Sequence, residues 1–239
     1  MNTFDLHTRP VANEPFPHVL DEHFLAPETY VRLRDSFPEC PPSTGPTGYS
    51  LYAGDDAYET LLASEPAWRA LYDALHSQAF IDWAVAQFAD VWKREGLRID
   101  LDNARYVPYR EDRIDKERMA LRNVEHAPDE LWVRLDIHQG RPGYARRIHR
   151  DHARRLISML VYFCDQDANG IRGGELLLHS SRFAWWPKRP VKVTPRENMM
   201  VAFPCGPSSH HSVPLIEAMT KPRNYIQVHI SSSVDIWPR

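Results

Sequence analysis

The spacing of apolar residues changes near the middle of the chain. Before about residue 96 they recur every three to four positions, and after residue 131 they alternate or run continuously. The first spacing is that of helices with one buried face, the second that of strands. Pro27 opens the first predicted helix, where its missing N–H costs nothing; Tyr30, Leu33 and Phe37 follow at helical spacing, and Pro38 stops it. A second helical region is predicted from Ser64 as N-cap, with Trp68, Leu71, Tyr72 and Leu75 along one face. A third, roughly 78 to 95, carries Ile81, Val85, Phe88 and Trp92 and ends at Gly96. These aromatic stripes read as core contacts and not as a cofactor box.

From Trp132 the segment WVRLDIHQ alternates, with Val133, Leu135 and Ile137 on one face and Arg134, Asp136 and His138 on the other. LISMLVYF (156 to 163) is a continuous apolar run suited to a central strand, and GGELLLH, VKVT, MMVAF and RNYIQVHI follow between turn residues. In the last of these, Arg223, Tyr225, Gln227 and His229 share one face, as on a strand whose polar side lines a pocket. Helices followed by many short strands predict an α+β chain whose second half is a sandwich or jelly roll. Two stretches fit neither period. Residues 38 to 57 are rich in Pro, Gly and Ser and read as a loop, either a lid or surface segment or a plain connector. Residues 110 to 130 are crowded with charge and read as a solvated loop, short hairpin or partner surface.

Composition narrows the setting. At 239 residues and 43% hydrophobic content, with no linker, the chain reads as a single domain: a mostly helical support region over 1–96 and a β core over 132–232. A net charge of −3 argues against a general nucleic-acid binder, and no apolar run approaches a membrane span. Cys40, Cys164 and Cys205 are odd in number and widely spaced, which fits reduced, buried thiols. With no signal-type leader either, the expectation is a cytoplasmic protein.

His149-Arg150-Asp151, answered some sixty residues later by a histidine pair, is the candidate chemistry. On a strand His149 and Asp151 point to the same side while Arg150 points away. Two imidazoles and one carboxylate on one face of an iron(II) leave its other positions open to substrate and oxygen. Adjacent residues His210 and His211 cannot both face one ion, so one of them is the third ligand. A buried arginine would hold a carboxylate through two parallel donors, and Arg223 on the polar face of the last strand suits that role.

RPGYARRIHRDHARRLISMLVYF, GGELLL, NMMVAFPCGPSSHHSVP and KPRNYIQVHI together resemble the catalytic core of the Fe(II)/2-oxoglutarate-dependent dioxygenases, in their prolyl-hydroxylase-like bacterial branch. The resemblance covers roughly residues 132 to 232. It implies a double-stranded β-helix with supporting N-terminal helices, and Fe(II), 2-oxoglutarate and O2 as cofactor and cosubstrates. It implies His149, Asp151 and His211 as metal ligands, the H-x-V match at His211 to Val213 favouring His211 over His210. Arg223 would anchor the cosubstrate, with Tyr162 and Tyr225 beside it. Tyr162 reads equally as a core aromatic with a polar tip. The chain departs from the family at His138-Gln139, where a tyrosine is usual, and at Tyr225, where the residue is usually small.

The reaction this implies is hydroxylation of an unactivated C–H bond, with release of succinate and CO2. Asp151, where related halogenases have Ala or Gly, favours hydroxylation. One rival reading is a binuclear zinc hydrolase of the metallo-β-lactamase type, but Arg147 stands where that motif needs histidine. The other is a non-catalytic cupin-like binding module. The substrate is a small molecule or a peptide. Arg141, Arg146, Arg147, Arg150, Arg154 and Arg155 crowd the metal pair, which reads either as a field favouring an anionic substrate or as a charged, protected strand edge. Trp185 and Trp186 read as core or rim aromatics, or as a stacking surface.

Overall fold

In this computed structural model the described residues are 3–42, 48–111, 125–181 and 189–237. Helices α1 (Pro27–Asp35), α2 (Asp56–Ser64), α3 (Pro66–Leu75), α4 (Gln78–Gln87) and α5 (Ala89–Glu95) lie in the first half, after β1 (Val19–Asp21) and around β2 (Tyr49–Leu51). The short β3 (Arg105–Tyr106) leads into β4 (Glu130–Gly140), β5 (Arg146–His149), β6 (Arg155–Tyr162), β7 (Leu176–His179), β8 (Val191–Val193), β9 (Met200–Pro204), β10 (His210–Val213) and β11 (Arg223–Ser231). The larger sheet has the order β1-β9-β6-β11-β4-β2, with β3 beside β4; the smaller is β5-β10-β7-β8. Apart from the parallel β3–β4 pair every pairing is antiparallel, and the fold is a double-stranded β-helix buttressed by helices.

The alternation along β4, β6 and β11 separates two cores. Val133, Leu135, Ile137, Ile157, Met159, Val161, Ile226, Val228 and Ile230 pack with Leu33, Trp68, Leu71 and Phe80 from the helices. Leu160, Tyr162 and Tyr225 point the other way and meet Leu176, Leu178 and Val213 of the smaller sheet. LISMLVYF is continuously apolar because both of its faces are covered.

Three helix boundaries differ from expectation. Ser64 closes α2 and is not an N-cap; Glu65 stands at the cap of α3, and Pro66 begins it. The α2 helix went unread because it follows directly on the Gly54-Asp55 turn residues. The third predicted helix is broken at Phe88, whose backbone (φ −118°, ψ 26°) leaves the helical region while its ring is buried against Trp92. Part of the 38 to 57 stretch is ordered: Tyr49–Leu51 pairs with β4 and extends the larger sheet, while residues 43 to 47 lie outside the described residues. Most of the charged 110 to 130 stretch, and Trp185 and Trp186, also lie outside them. No helix among the described residues is long and apolar enough to cross a membrane. The three cysteines are free and buried.

At the end of α3 the His76 ring stacks on Tyr72 (centroids 3.7 Å) and its Nδ1 meets the Tyr72 carbonyl at 2.8 Å. Burial lowers its pKa from 6.5 to about 4. The folded state therefore prefers the neutral ring, and this contribution is intact above pH 6.5 and lost as pH falls to about 4. His76→Gln is expected to flatten the fall in stability across that window, measured by urea unfolding at several pH values.

Candidate active site

β5 and β10 pair so that His149 and His211 lie directly opposite each other. Their ring centroids are 4.3 Å apart, and one donor atom from each, with one from Asp151, lies within 4.8 Å of the others. His211 Nε2 stands 4.0 Å from Asp151 Oδ2. Each ring is oriented by a backbone carbonyl: His149 Nδ1 donates to Arg147 O at 2.8 Å, and His211 Nδ1 to Ser209 O at 3.0 Å. With the proton held on Nδ1, the Nε2 lone pair is left for a metal. Burial lowers both histidines, His149 to about 4, so both are neutral at pH 7. Burial alone would raise Asp151, but the Arg155 guanidinium and neighbouring imidazoles outweigh it and keep the carboxylate ionised. Two neutral imidazoles and one carboxylate, converging from separate segments, fit a divalent iron.

Two details refine the expected geometry. β5 ends at His149, so Asp151 does not share its strand; it stands in the turn before β6, where Arg155 Nη1 donates to its Oδ1 at 3.0 Å. Arg150 does point away, exposed, and donates to Pro207 O at 3.1 Å. His211 is the residue brought to the cluster; His210 pairs across the ladder with His179.

The same cavity, about 100 Å3, runs from the cluster to Arg223. That guanidinium is 0% exposed, and no carboxylate pairs with it among the described residues. Its Nη2 donates to the Tyr162 hydroxyl at 3.3 Å, while Nε and Nη1 have no partner. The Tyr225 and Tyr162 rings lie 4.6 and 5.1 Å from its Cζ. A buried cation with open donors is costly unless an anion arrives, and a carboxylate such as that of 2-oxoglutarate fits it. The slot for Arg223 is made by absent side chains. A Cβ on Gly140, directly across the ladder, would meet Arg223 Cβ at 3.3 Å; one on Gly174 would meet its Cδ at 3.4 Å.

Several lining residues escaped the sequence reading. Tyr144 closes the Arg223 end, its hydroxyl 3.3 Å from that of Tyr225; its place in the Pro-Gly-Tyr turn was the available signal. His138 stacks on Tyr225 at 4.9 Å and meets Ser50 Oγ at 2.7 Å, so β2 helps shape the site. Arg134 also lines the cavity and forms a buried network. It pairs with Asp136 through Nε and Nη2 and with Glu111 through Nη1 at 2.9 Å, and Glu111 accepts from Trp132 Nε1 at 3.2 Å. Glu111 lay hidden in a run of charges that gave no sign of which one turns inward.

Among the described residues this is the sole cluster of three potential metal donors. The sequence model of the 2OG-Fe(II) oxygenase superfamily matches residues 135–230, the segment that carries all of these groups. No curated protein matches the chain. A prolyl 4-hydroxylase from Phytophthora capsici is similar in structure, with a TM-score of 0.51 at 14% identity, over 90% of this chain and 59% of that one. A prolyl-4-hydroxylase from Pseudomonas putida matches with a TM-score of 0.46 at 18% identity, over 90% of this chain and 92% of that one. This chain thus spans somewhat under two thirds of the length of the Phytophthora protein. The donor cluster and the open buried arginine thus lie within the segment that resembles the 2OG-Fe(II) oxygenase superfamily, and the donors present there fit Fe(II).

Proposed function

We propose that the protein hydroxylates an unactivated C–H bond of a polar, anion-bearing substrate, with His149, Asp151 and His211 as iron ligands and Arg223 as the cosubstrate anchor. When bound, iron(II) with 2-oxoglutarate and O2 supplies the oxidising power: one oxygen atom enters the substrate as hydroxyl and the other enters succinate as CO2 leaves. The observation that carries this reading is the open, fully buried guanidinium of Arg223 sharing one cavity with the three donors. Tyr162 accepts from Nη2 and fixes the guanidinium's rotation, which leaves Nε and Nη1 for the carboxylate. Tyr225 and Tyr144, hydroxyl to hydroxyl, wall that end against water. Arg155 holds Oδ1 of Asp151 and so turns Oδ2 toward His211. In this reading the chain works as one domain, with 1–96 as helical support and 132–232 as catalytic core.

The test is to mix the anaerobic protein with Fe(II) and 2-oxoglutarate, record the visible spectrum, then admit O2 and assay succinate. A weak charge-transfer band followed by succinate is expected; neither appearing would refute the reading. Arg223→Ala is expected to weaken 2-oxoglutarate binding roughly 100-fold, as removal of one partner of a buried charge pair does. Metal affinity measured without cosubstrate should stay within about threefold, because Arg223 touches no ligand residue. Collapse of metal binding in that variant would show that the arginine is misassigned.

A further inference from the structure

The register between β5 and β10 slips within the active site. His149 faces His211, yet Arg146 faces Val213, so three steps on β5 oppose two on β10. Strict alternation would send residues three apart to opposite faces, and the bulge returns Arg146 to the side of His149. Arg146 thereby lines the same cavity as the donor cluster, half-buried, with no ion pair or hydrogen bond to any described residue.

The cavity's charges can be paired off. Arg134 is answered by Asp136 and Glu111, and Arg155 by Asp151. Arg223 is reserved for the cosubstrate. Arg146 is the lining arginine left with neither an acidic partner among the described residues nor a cosubstrate role. Across the cavity His229, 1% exposed, also lines the wall with its Nδ1 unpartnered. An unanswered guanidinium and an unsatisfied imidazole nitrogen in one small cavity ask for a ligand with a charged acceptor and a second polar group.

We propose that Arg146 anchors a carboxylate of the substrate beside the metal, with His229 bonding a second polar group, so that the substrate is a small polar carboxylic acid of the amino-acid or hydroxy-acid type. This rests on the oxygenase reading above. The bulge gives Arg146 a place that its neighbours in the arginine cluster lack: Arg147 and Arg150 are exposed, and Arg141, half-buried, lies over Tyr49 and pairs with Glu39.

The probes are trifluoroacetate and its neutral counterpart trifluoroethanol, added to the protein loaded with Mn(II) and 2-oxoglutarate. Fluorine relaxation by the metal reports binding nearby. First, Mn(II) and 2-oxoglutarate binding are measured by calorimetry; if the wild type takes up neither, the oxygenase reading fails and this inference with it. If loading succeeds, trifluoroacetate should bind at least tenfold more tightly than trifluoroethanol. Arg146→Gln should lose that advantage, Arg146→Lys should keep most of it, and both should bind 2-oxoglutarate within twofold of wild type. Melting temperatures close to wild type would confirm that both variants fold. Equal relaxation of the two probes, or trifluoroacetate binding unchanged in Arg146→Gln because it sits on the metal itself, would overturn the proposal while leaving the oxygenase reading intact. A tenfold loss of 2-oxoglutarate affinity in Arg146→Gln would overturn it too, by assigning the arginine to the cosubstrate.

Discussion

His211→Ala is expected to abolish 2-oxoglutarate turnover and to weaken metal binding by well over 100-fold, since changes to groups that merely support a ligand already cost about 10- to 100-fold. The imidazole contributes one of the three donors that lie together: His210 pairs across the ladder with His179 instead, and Cys205 sits 3.9 Å from Asp151 as a fully buried thiol whose pKa burial pushes well up. Titration with Mn(II) followed by electron paramagnetic resonance would measure the loss directly. His210→Ala is the matched control and should bind metal as the wild type does. If the two variants behaved in reverse, the bulged register of β10 would have to be redrawn with His210 inward.

Gly173→Ala is expected to cost about 3 kcal/mol or more in stability, combining an unfavourable left-handed conformation with overpacking. Gly173 has φ +78°, and a Cβ there would sit 1.9 Å from the Leu215 carbonyl oxygen. That atom is backbone, so relief requires moving the 214 to 216 segment, which also holds Ile216 against Gly140 and Gly174. The Arg223 slot would shift with it, so 2-oxoglutarate affinity should fall together with the melting temperature. Ala218, half-buried where its backbone bridges Arg172 next to Gly173, offers a contrast: Ala218→Gly should leave both nearly unchanged. Chemical denaturation and 2-oxoglutarate titration of the same samples would check the pair.

The β half was legible because alternation is a local property. WVRLDIHQ and RNYIQVHI each announce an apolar and a polar face, and the structure turns those faces to the helices and to the cavity. His149, Asp151, His211 and Arg223 were singled out by residue type and order, and the structure brings all four to one cavity, Asp151 from the turn after β5 and not from the strand. What stayed hidden depends on pairing between distant segments. Arg146 looked like one charge among six, since a bulge is a relation between two strands and leaves no mark on either alone. The inward turn of Glu111 is set by Arg134 and Trp132, partners more than twenty residues away in sequence. The break at Phe88 follows from burying its ring, which helical periodicity across 78 to 95 concealed.

The two-sidedness of β4 and β11 bears on how such a protein could be re-tasked. Odd and even positions along these strands answer to different masters: Ile137, Ile226 and Val228 to the helices, His138, Tyr225 and Gln227 to whatever enters the cavity. Substitutions on the cavity side leave the apolar side chains that face the helices in place. A library confined to Gln227, whose one side-chain bond among the described residues is to Ser158, could therefore explore new acceptors while keeping the apolar frame. Divergence in substrate among proteins built this way would need neither a new loop nor a new core, only a change of every second letter in two strands.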